Sequence, residues 1–189
     1  MSSSLFRSAS AKPSKLSNGV SFVVVGEHVH KCGCGRNRFE SCKENLMQLF
    51  LPFADLSRSV KSLDKRRLWK QILEADQIIN GVGWSNHPVI KMYRNNEYTN
   101  FAIAYYNTAL NEFVSERNGS TKYMPFVINS KIVYPPWWGN ERFHQSHRSN
   151  LLRKAVNEKT ELLTLLGIQG ITLDNTPTDL PYVWPLNEN

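Results

Sequence analysis

Leu63-Asp64-Lys65-Arg66-Arg67-Leu68-Trp69-Lys70-Gln71-Ile72-Leu73-Glu74-Ala75-Asp76-Gln77-Ile78-Ile79 is the stretch whose reading decides the fold. Leu68, Ile72, Ala75 and Ile79 recur at helical spacing, so the segment predicts an amphipathic helix whose apolar stripe needs a hydrophobic partner. Asp64 stands where an N-cap belongs, and Gly81 and Gly83 stand where the helix should stop. At about 100° per residue, Arg67 and Glu74 project within about 20° of each other, with Lys70 about 40° away. A carboxylate is thereby set among cations. That grouping suits general acid/base work on a polyanion, with cations on the phosphates and the acid handling protons. It also suits an ordinary surface helix with intrahelical ion pairs, each worth roughly 0.3 kcal/mol.

Helical signals continue on both sides. Met47-Gln48-Leu49-Phe50-Leu51-Pro52 reads as a short extended segment, and Asp55 as the N-cap of a short helix before the long one. The turn Trp84-Ser85-Asn86-His87-Pro88 starts another helix, with Pro88 in the first turn and Val89, Met92 and Tyr93 on its buried side. A helix from about Glu97 to Arg117 follows, marked by Phe101, Ala104, Tyr105, Ala109, Leu110 and Phe113 and closed by Asn118-Gly119. Tyr134-Pro135-Pro136-Trp137-Trp138-Gly139 is a loop, because consecutive prolines break helices and lack donors for a ladder. Its tryptophans either pack on the body or line a groove where bases stack.

One more helix is predicted from about Asn140 to Leu166. His144, His147 and Arg148 make a polar side in its first half, and Leu151, Leu152, Leu162, Leu163 and Leu166 supply core. Leu180-Pro181-Tyr182-Val183-Trp184-Pro185 reads as an extended aromatic tail lying against the body. The fold class expected is therefore all-α, a compact bundle of about four to five helices with a Pro/Trp-rich loop.

The chain has 189 residues, a formal charge of +7 and 41% hydrophobic content. That is enough for one domain with a real core, and the charge favours an anionic partner. Residues 1–46 hold seven Lys/Arg against three acids, and residues 47–189 hold sixteen against thirteen, so the extension contributes +4 and the body +3. The longest apolar run, Val20 to Val25, is far too short to cross a membrane. It reads as one isolated strand.

Residues 1–46 read as an extension and 47–189 as the helical domain. Met1 to Ser21 carries eight serines, Arg7, Lys12 and Lys15 and no acid, which fits a flexible arm, an over-long start or an organelle transit peptide. His28, His30, Cys32, Cys34 and Cys42 offer zinc-type ligands, but without a second matched pair, which equally fits chance clustering. All three cysteines precede residue 47, so the body cannot depend on disulfides.

Several blocks in order carry a resemblance: Met47-Gln48-Leu49-Phe50-Leu51-Pro52, Leu63-Asp64-Lys65-Arg66-Arg67-Leu68 with Lys70-Gln71 and Glu74, Asn86-His87-Pro88, Pro135-Pro136-Trp137 with Phe143-His144, His147 to Lys154, and Leu180 to Pro185. Over residues 47–185 the chain resembles the pyrimidine dimer DNA glycosylase family of the endonuclease V type, in its small bacterial and viral branch. The resemblance implies a bifunctional glycosylase and AP lyase acting on ultraviolet-damaged double-stranded DNA. An unprotonated amine would attack the sugar C1′ and form a Schiff base, and β-elimination would then cut the strand. No metal or other cofactor is required. Glu74 matches the family's catalytic glutamate by position, and the amine would belong to Met47.

By the same resemblance, Arg66, Arg67 and Lys70 would contact DNA from the first basic helix. Arg148, Arg153 and Lys154 would do so from the second. His87, Trp137, His144, His147 and Asn150 are further candidate DNA contacts, with a turn or capping role as the alternative for His87 and helix-start hydrogen bonding for His144 and His147. A monomer in the cytoplasm of a bacterial or virus-infected cell is expected, or an organelle if the N-terminus is a transit peptide.

One departure matters. Met47 is preceded by 46 residues, and an amide nitrogen is no nucleophile. Either translation or proteolysis yields a terminus at Met47, or a lysine such as Lys65 or Lys70 substitutes, or the activity has changed. The alternatives from other classes are a nucleic-acid-binding module without catalysis and a related enzyme acting on another modified base.

Overall fold

The computed structural model describes residues 14–15, 21–24, 48–82, 88–94, 97–158 and 161–185. Met47, His87 and the Cys/His cluster lie outside these residues. The body is all-α, with six helices among the described residues: α1 Leu56–Lys61, α2 Lys65–Asn80, α3 Pro88–Arg94, α4 Thr99–Asn111, α5 Glu141–Glu158 and α6 Glu161–Ile168. A π-helical turn, Glu112–Glu116, extends α4. The single helix expected from Asn140 to Leu166 is thus two, α5 and α6.

Both predicted N-caps are made. Asp55 accepts from the Arg58 N–H at 2.6 Å and Asp64 from the Arg67 N–H at 2.8 Å, each satisfying a donor that the helix start leaves unpaired. Helix α2 ends at Gly81, whose φ of 72° is a left-handed conformation that costs a residue with a Cβ but not glycine. Past the π-helical turn, Gly119 is required for a different reason. A Cβ there would fall 2.2 Å from the Phe113 ring, so the chain can close under that ring only with glycine.

The core lies mainly between α2 and α4. Leu68, Ile72, Ala75 and Ile78 of α2 are buried with Phe101, Ala102, Tyr105 and Ala109 of α4. Burying such side chains is worth about 1.5–3 kcal/mol each for the larger ones, which holds a helix that propensity alone would leave marginal. On the other side of the body, Leu151, Leu152 and Ala155 of α5 join Leu162 and Leu166 of α6 in the same core.

The Pro/Trp turn plugs this core. Trp137 is 1% exposed and packs against Phe143, Tyr93 and Phe101 at ring distances of 4.7, 5.7 and 5.8 Å. It therefore cannot stack on bases. Trp138, half-buried, lies 4.9 Å from Phe101 and 5.5 Å from His144.

The strand expected to be isolated is not. Strand β2, Ser21–Val24, pairs antiparallel with β1, Ser14–Lys15, and with β3, Val183–Pro185, in the order β1-β2-β3. Val23 stands opposite Trp184. The tail that contributes β3 is fixed to α5: the Val183 N–H donates to Ser146 Oγ at 3.2 Å and the Leu180 N–H to Ser149 Oγ at 3.1 Å. Among the described residues no helix is long and apolar enough to cross a membrane.

Candidate active site

The extended segment 48–52 runs between α2 and α5, and both helices bind its backbone. A strand without a neighbouring strand must find partners for its N–H and C=O groups elsewhere, because leaving them buried and unpaired costs about 1–3 kcal/mol each. Here side chains supply them. Gln71 Oε1 accepts from the Phe50 N–H at 2.6 Å and Gln71 Nε2 donates to the Gln48 carbonyl at 2.7 Å. From α5, His147 Nδ1 accepts from the Leu51 N–H at 3.2 Å, His144 Nδ1 lies 2.7 Å from the Leu51 carbonyl, and Arg148 donates to the Pro52 carbonyl at 2.8 Å.

The pairings define the histidines. His144 must donate through Nδ1 to a carbonyl and accept through Nε2 from the Gly139 N–H at 3.0 Å, so it is a neutral imidazole. His147 accepts at Nδ1, and burial holds its pKa well below the usual histidine value, as burial also lowers that of His144. Both are 2% exposed.

Glu74 lies where this segment begins. It is 8% exposed, and its Oε2 accepts from Gln71 Nε2 at 2.6 Å and faces the Gln48 N–H at 3.4 Å. Its Oε1 stands 3.6 Å from Lys70 Nζ. Burial raises the Glu74 pKa to about 7 against the opposing charge of Lys70, the Gln48 N–H and, more weakly, Lys154 of α5. The acid is therefore neither a surface ion-pair member nor walled off by hydrocarbon. It is a carboxyl poised to exchange protons near neutral pH, in polar company. Gln48 also lines a narrow crevice with Leu49, Met92, Tyr93 and His147, and Glu74 is not among its lining residues.

The expected DNA contacts divide into two groups. Arg66, Lys70 and Arg153 are exposed and Lys154 is half-exposed, so they can reach phosphates. Lys154 Nζ also sits 5.3 Å from the centre of the Phe50 ring. Exposure does not leave them without partners, since Arg153 also bonds Asn150 and the Thr178 carbonyl and Lys70 pairs with Glu74. The other members of the set are less accessible. Arg67 is bound by Asp64 and by Glu158 at 2.6 Å, and Arg148 by Glu141 and Pro52. His144, His147 and Asn150 are buried in the fold. Asn150 donates to the Ser146 carbonyl at 2.7 Å and the Leu180 carbonyl at 3.1 Å and accepts from Arg153. A side chain at 2% exposure or less cannot touch a phosphate, so these three hold the scaffold instead. Of the two lysines that might replace the terminal amine, Lys65 is turned toward the end of α4, donating to the Asn118 carbonyl at 3.1 Å, and only Lys70 faces Glu74.

Gln48, Gln71 and Tyr105 are the site residues that sequence reading missed. Tyr105 donates to Gln71 Oε1 at 2.7 Å and lies 3.2 Å from the Phe50 carbonyl, fully buried. The signal for Gln71 was present. It falls three residues after Leu68 and four before Ala75, so it is a polar residue on the apolar stripe of α2, where a buried hydrogen-bonding role is the physical reason to keep an amide.

Residues 47–124 match the family model described as Pyrimidine dimer DNA glycosylase. The matched part holds segment 48–52 and helices α1 to α4, hence Glu74, Lys70 and Gln71, while α5 and the tail lie beyond it. No curated protein and no solved structure matches the chain.

Proposed function

We propose, on the premise that residues 47–124 carry the pyrimidine dimer DNA glycosylase match, that the protein is a DNA repair glycosylase with AP-lyase activity on pyrimidine dimers. It works as a monomer on duplex DNA, in a bacterial or virus-infected cell. The nucleophile is the α-amine of Met47, exposed by translation or cleavage at that residue. Its lone pair attacks C1′ of the 5′ nucleotide of the dimer, and the C1′–N bond breaks with its electrons leaving on the base. The departing base takes a proton from water. Glu74 as carboxylate takes the proton that the bonded amine sheds and passes it to O4′ as the C1′–O4′ bond breaks, which leaves the iminium. Glu74 as carboxylate then takes a C2′ proton, the electrons form the C2′–C3′ double bond, and the 3′ phosphate oxygen leaves.

The observation that carries this reading is the contact between Glu74 Oε2 and the Gln48 nitrogen at 3.4 Å. A terminus at Met47 would be three covalent bonds from that nitrogen, within roughly 4 Å by bond geometry alone. Amine and carboxyl would then share one side of the sugar. Lys70 would balance the acid, while Arg66, Lys154 and Arg153 hold phosphates and a weakly paired lesion lowers the cost of displacing a base.

The test is borohydride trapping on irradiated duplex, using the full chain with a protease site set just before Met47 and cut after folding. The cut protein should become covalently attached to the DNA and the uncut protein should not. Equal trapping by the uncut chain would transfer the role to Lys70, whose Nζ is the amine nearest Glu74 among the described residues. Tight binding with no trapping in either form would mark a non-catalytic DNA-binding module.

A further inference from the structure

Gln71 makes four hydrogen bonds that leave its amide no choice of orientation. Two partners, the Phe50 N–H at 2.6 Å and the Tyr105 hydroxyl at 2.7 Å, meet Oε1. The other two, the Gln48 carbonyl at 2.7 Å and Glu74 Oε2 at 2.6 Å, meet Nε2. A backbone N–H can only donate and a backbone carbonyl can only accept, so the amide cannot be flipped. Its hydrogen-bonding capacity is filled, and the side chain is completely buried. One residue thus ties the backbone on which the nucleophile would ride to the carboxyl that would assist it.

The two Glu74 oxygens are consequently unequal. Oε2 faces Gln71 Nε2 and the Gln48 N–H, while Oε1 faces the exposed Lys70. We propose that Gln71 is a positioning residue that anchors Glu74 through Oε2, so that proton transfer with the sugar runs through Oε1 on the Lys70 side. The inference rests on the Glu74 chemistry given above and adds which oxygen works and what fixes it. Beyond holding the geometry, an amide donor on Oε2 favours the carboxylate form, so the glutamine also sets the pH at which the acid can act as a base. The charged groups facing Glu74 are Lys70 from its own helix and Lys154 from α5, and the titratable groups that feel its charge are the buried hydroxyls of Tyr105 on α4, behind Gln71, and Tyr182 in the tail.

Two measurements test this. In the full native chain, the Gln71 side-chain NH2 resonances followed by nuclear magnetic resonance should shift with pH along a titration centred near 7, and that titration should vanish in Glu74→Gln. Flat resonances would overturn the proposal without any active-site variant having to fold. In the cut protein, Gln71→Glu places a second carboxyl against Glu74, and two such groups at hydrogen-bond distance cannot both ionise. The low-pH limb of trapping should therefore move up by about one pH unit or more, with kcat reduced and KM for DNA nearly unchanged. Gln71→Met, which removes the donor without adding charge, should move the limb in the same direction. Variants that fold and lose trapping equally at every pH would show that Gln71 merely supports the fold. If the native cut protein traps no DNA, the glycosylase reading fails, whereas the resonance titration still judges the link between Gln71 and Glu74.

Discussion

Helices α2 and α5 look alike in sequence, both basic, polar along one side and seeded with chemically capable residues, yet the fold uses them in opposite ways. Helix α2 keeps a carboxyl in a polar niche with Lys70 beside it and exposed Arg66 nearby. Helix α5 turns its histidines and asparagine inward, where they replace the missing neighbours of an extended strand and of the tail. The difference lies in what each side chain must satisfy. A buried backbone N–H or C=O obliges its partner to stay, whereas a carboxyl whose burial raises its pKa to about 7 is left able to change state. One helix would react and the other would hold what reacts.

The sharpest way to break this contrast is Glu74→Gln in the cut protein. Trapping should fall at least about 100-fold with little change in DNA affinity, since the group acts on protons rather than on phosphates. Unchanged trapping, read by gel shift of the covalent adduct, would remove Glu74 from the chemistry.

On the α5 side, His147→Leu should cost stability instead. It leaves the Leu51 N–H buried without its acceptor, and the melting free energy should drop by roughly 1–3 kcal/mol. Thermal unfolding followed by circular dichroism measures it, and a value near zero would show that the segment 48–52 is held by α2 alone.

The two helices should also oppose each other in pH dependence. Glu74 has a folded pKa above its unfolded value of 4.5, so the stability it confers is present below that pH and lost as pH rises through about 7. Glu74→Gln should consequently stabilise the protein at pH 8, by an amount on the order of 1–3 kcal/mol, and do little at pH 4. The histidines have folded values below the ordinary 6.5, so the native state resists protonation and stability falls as pH drops below that value. Because the two slopes oppose each other in the native chain, denaturant titrations of Glu74→Gln beside it at pH 8, 6.5 and 5 separate them. A stability gap between the two proteins that did not widen from pH 5 to pH 8 would contradict the Glu74 argument, and a Glu74→Gln protein no less stable at pH 5 than at pH 8 would contradict the histidine argument.

The smallest effect separates neighbours on α2. Arg66 is exposed and Arg67 is bound by two acids. Arg66→Ala should reduce the salt slope of DNA binding by about one without altering melting, and Arg67→Ala should lower the melting point with little change in slope. Fluorescence anisotropy over a range of salt would distinguish them, and equal slopes for the two variants would refute the assignment.

Much of this was legible in the chain. Caps and apolar periodicity placed α1 to α4, because N-cap bonds and a helical stripe are local consequences of residues three or four apart. Glu74 stood out for the same reason, as one acid among cations on a single helix. That His144, His147 and Asn150 are buried was not legible, because polarity alone does not say whether a partner is solvent, phosphate or buried backbone. The strand Ser21–Val24 reads as isolated because one partner, β3, lies some 160 residues along the chain, where no local pattern speaks, and the other, β1, is only the two polar residues Ser14–Lys15.

By itself, then, the sequence determined the helices, their ends, their apolar faces and the one acid set among bases, all of which arise from interactions within a turn or two. Tertiary structure alone decided that segment 48–52 threads between α2 and α5, that Gln71 joins it to Glu74, and that Trp137 fills the core. Those outcomes depend on which unpaired backbone groups and which apolar faces meet once remote elements pack. The cost of burying a polar atom without a partner is settled only there.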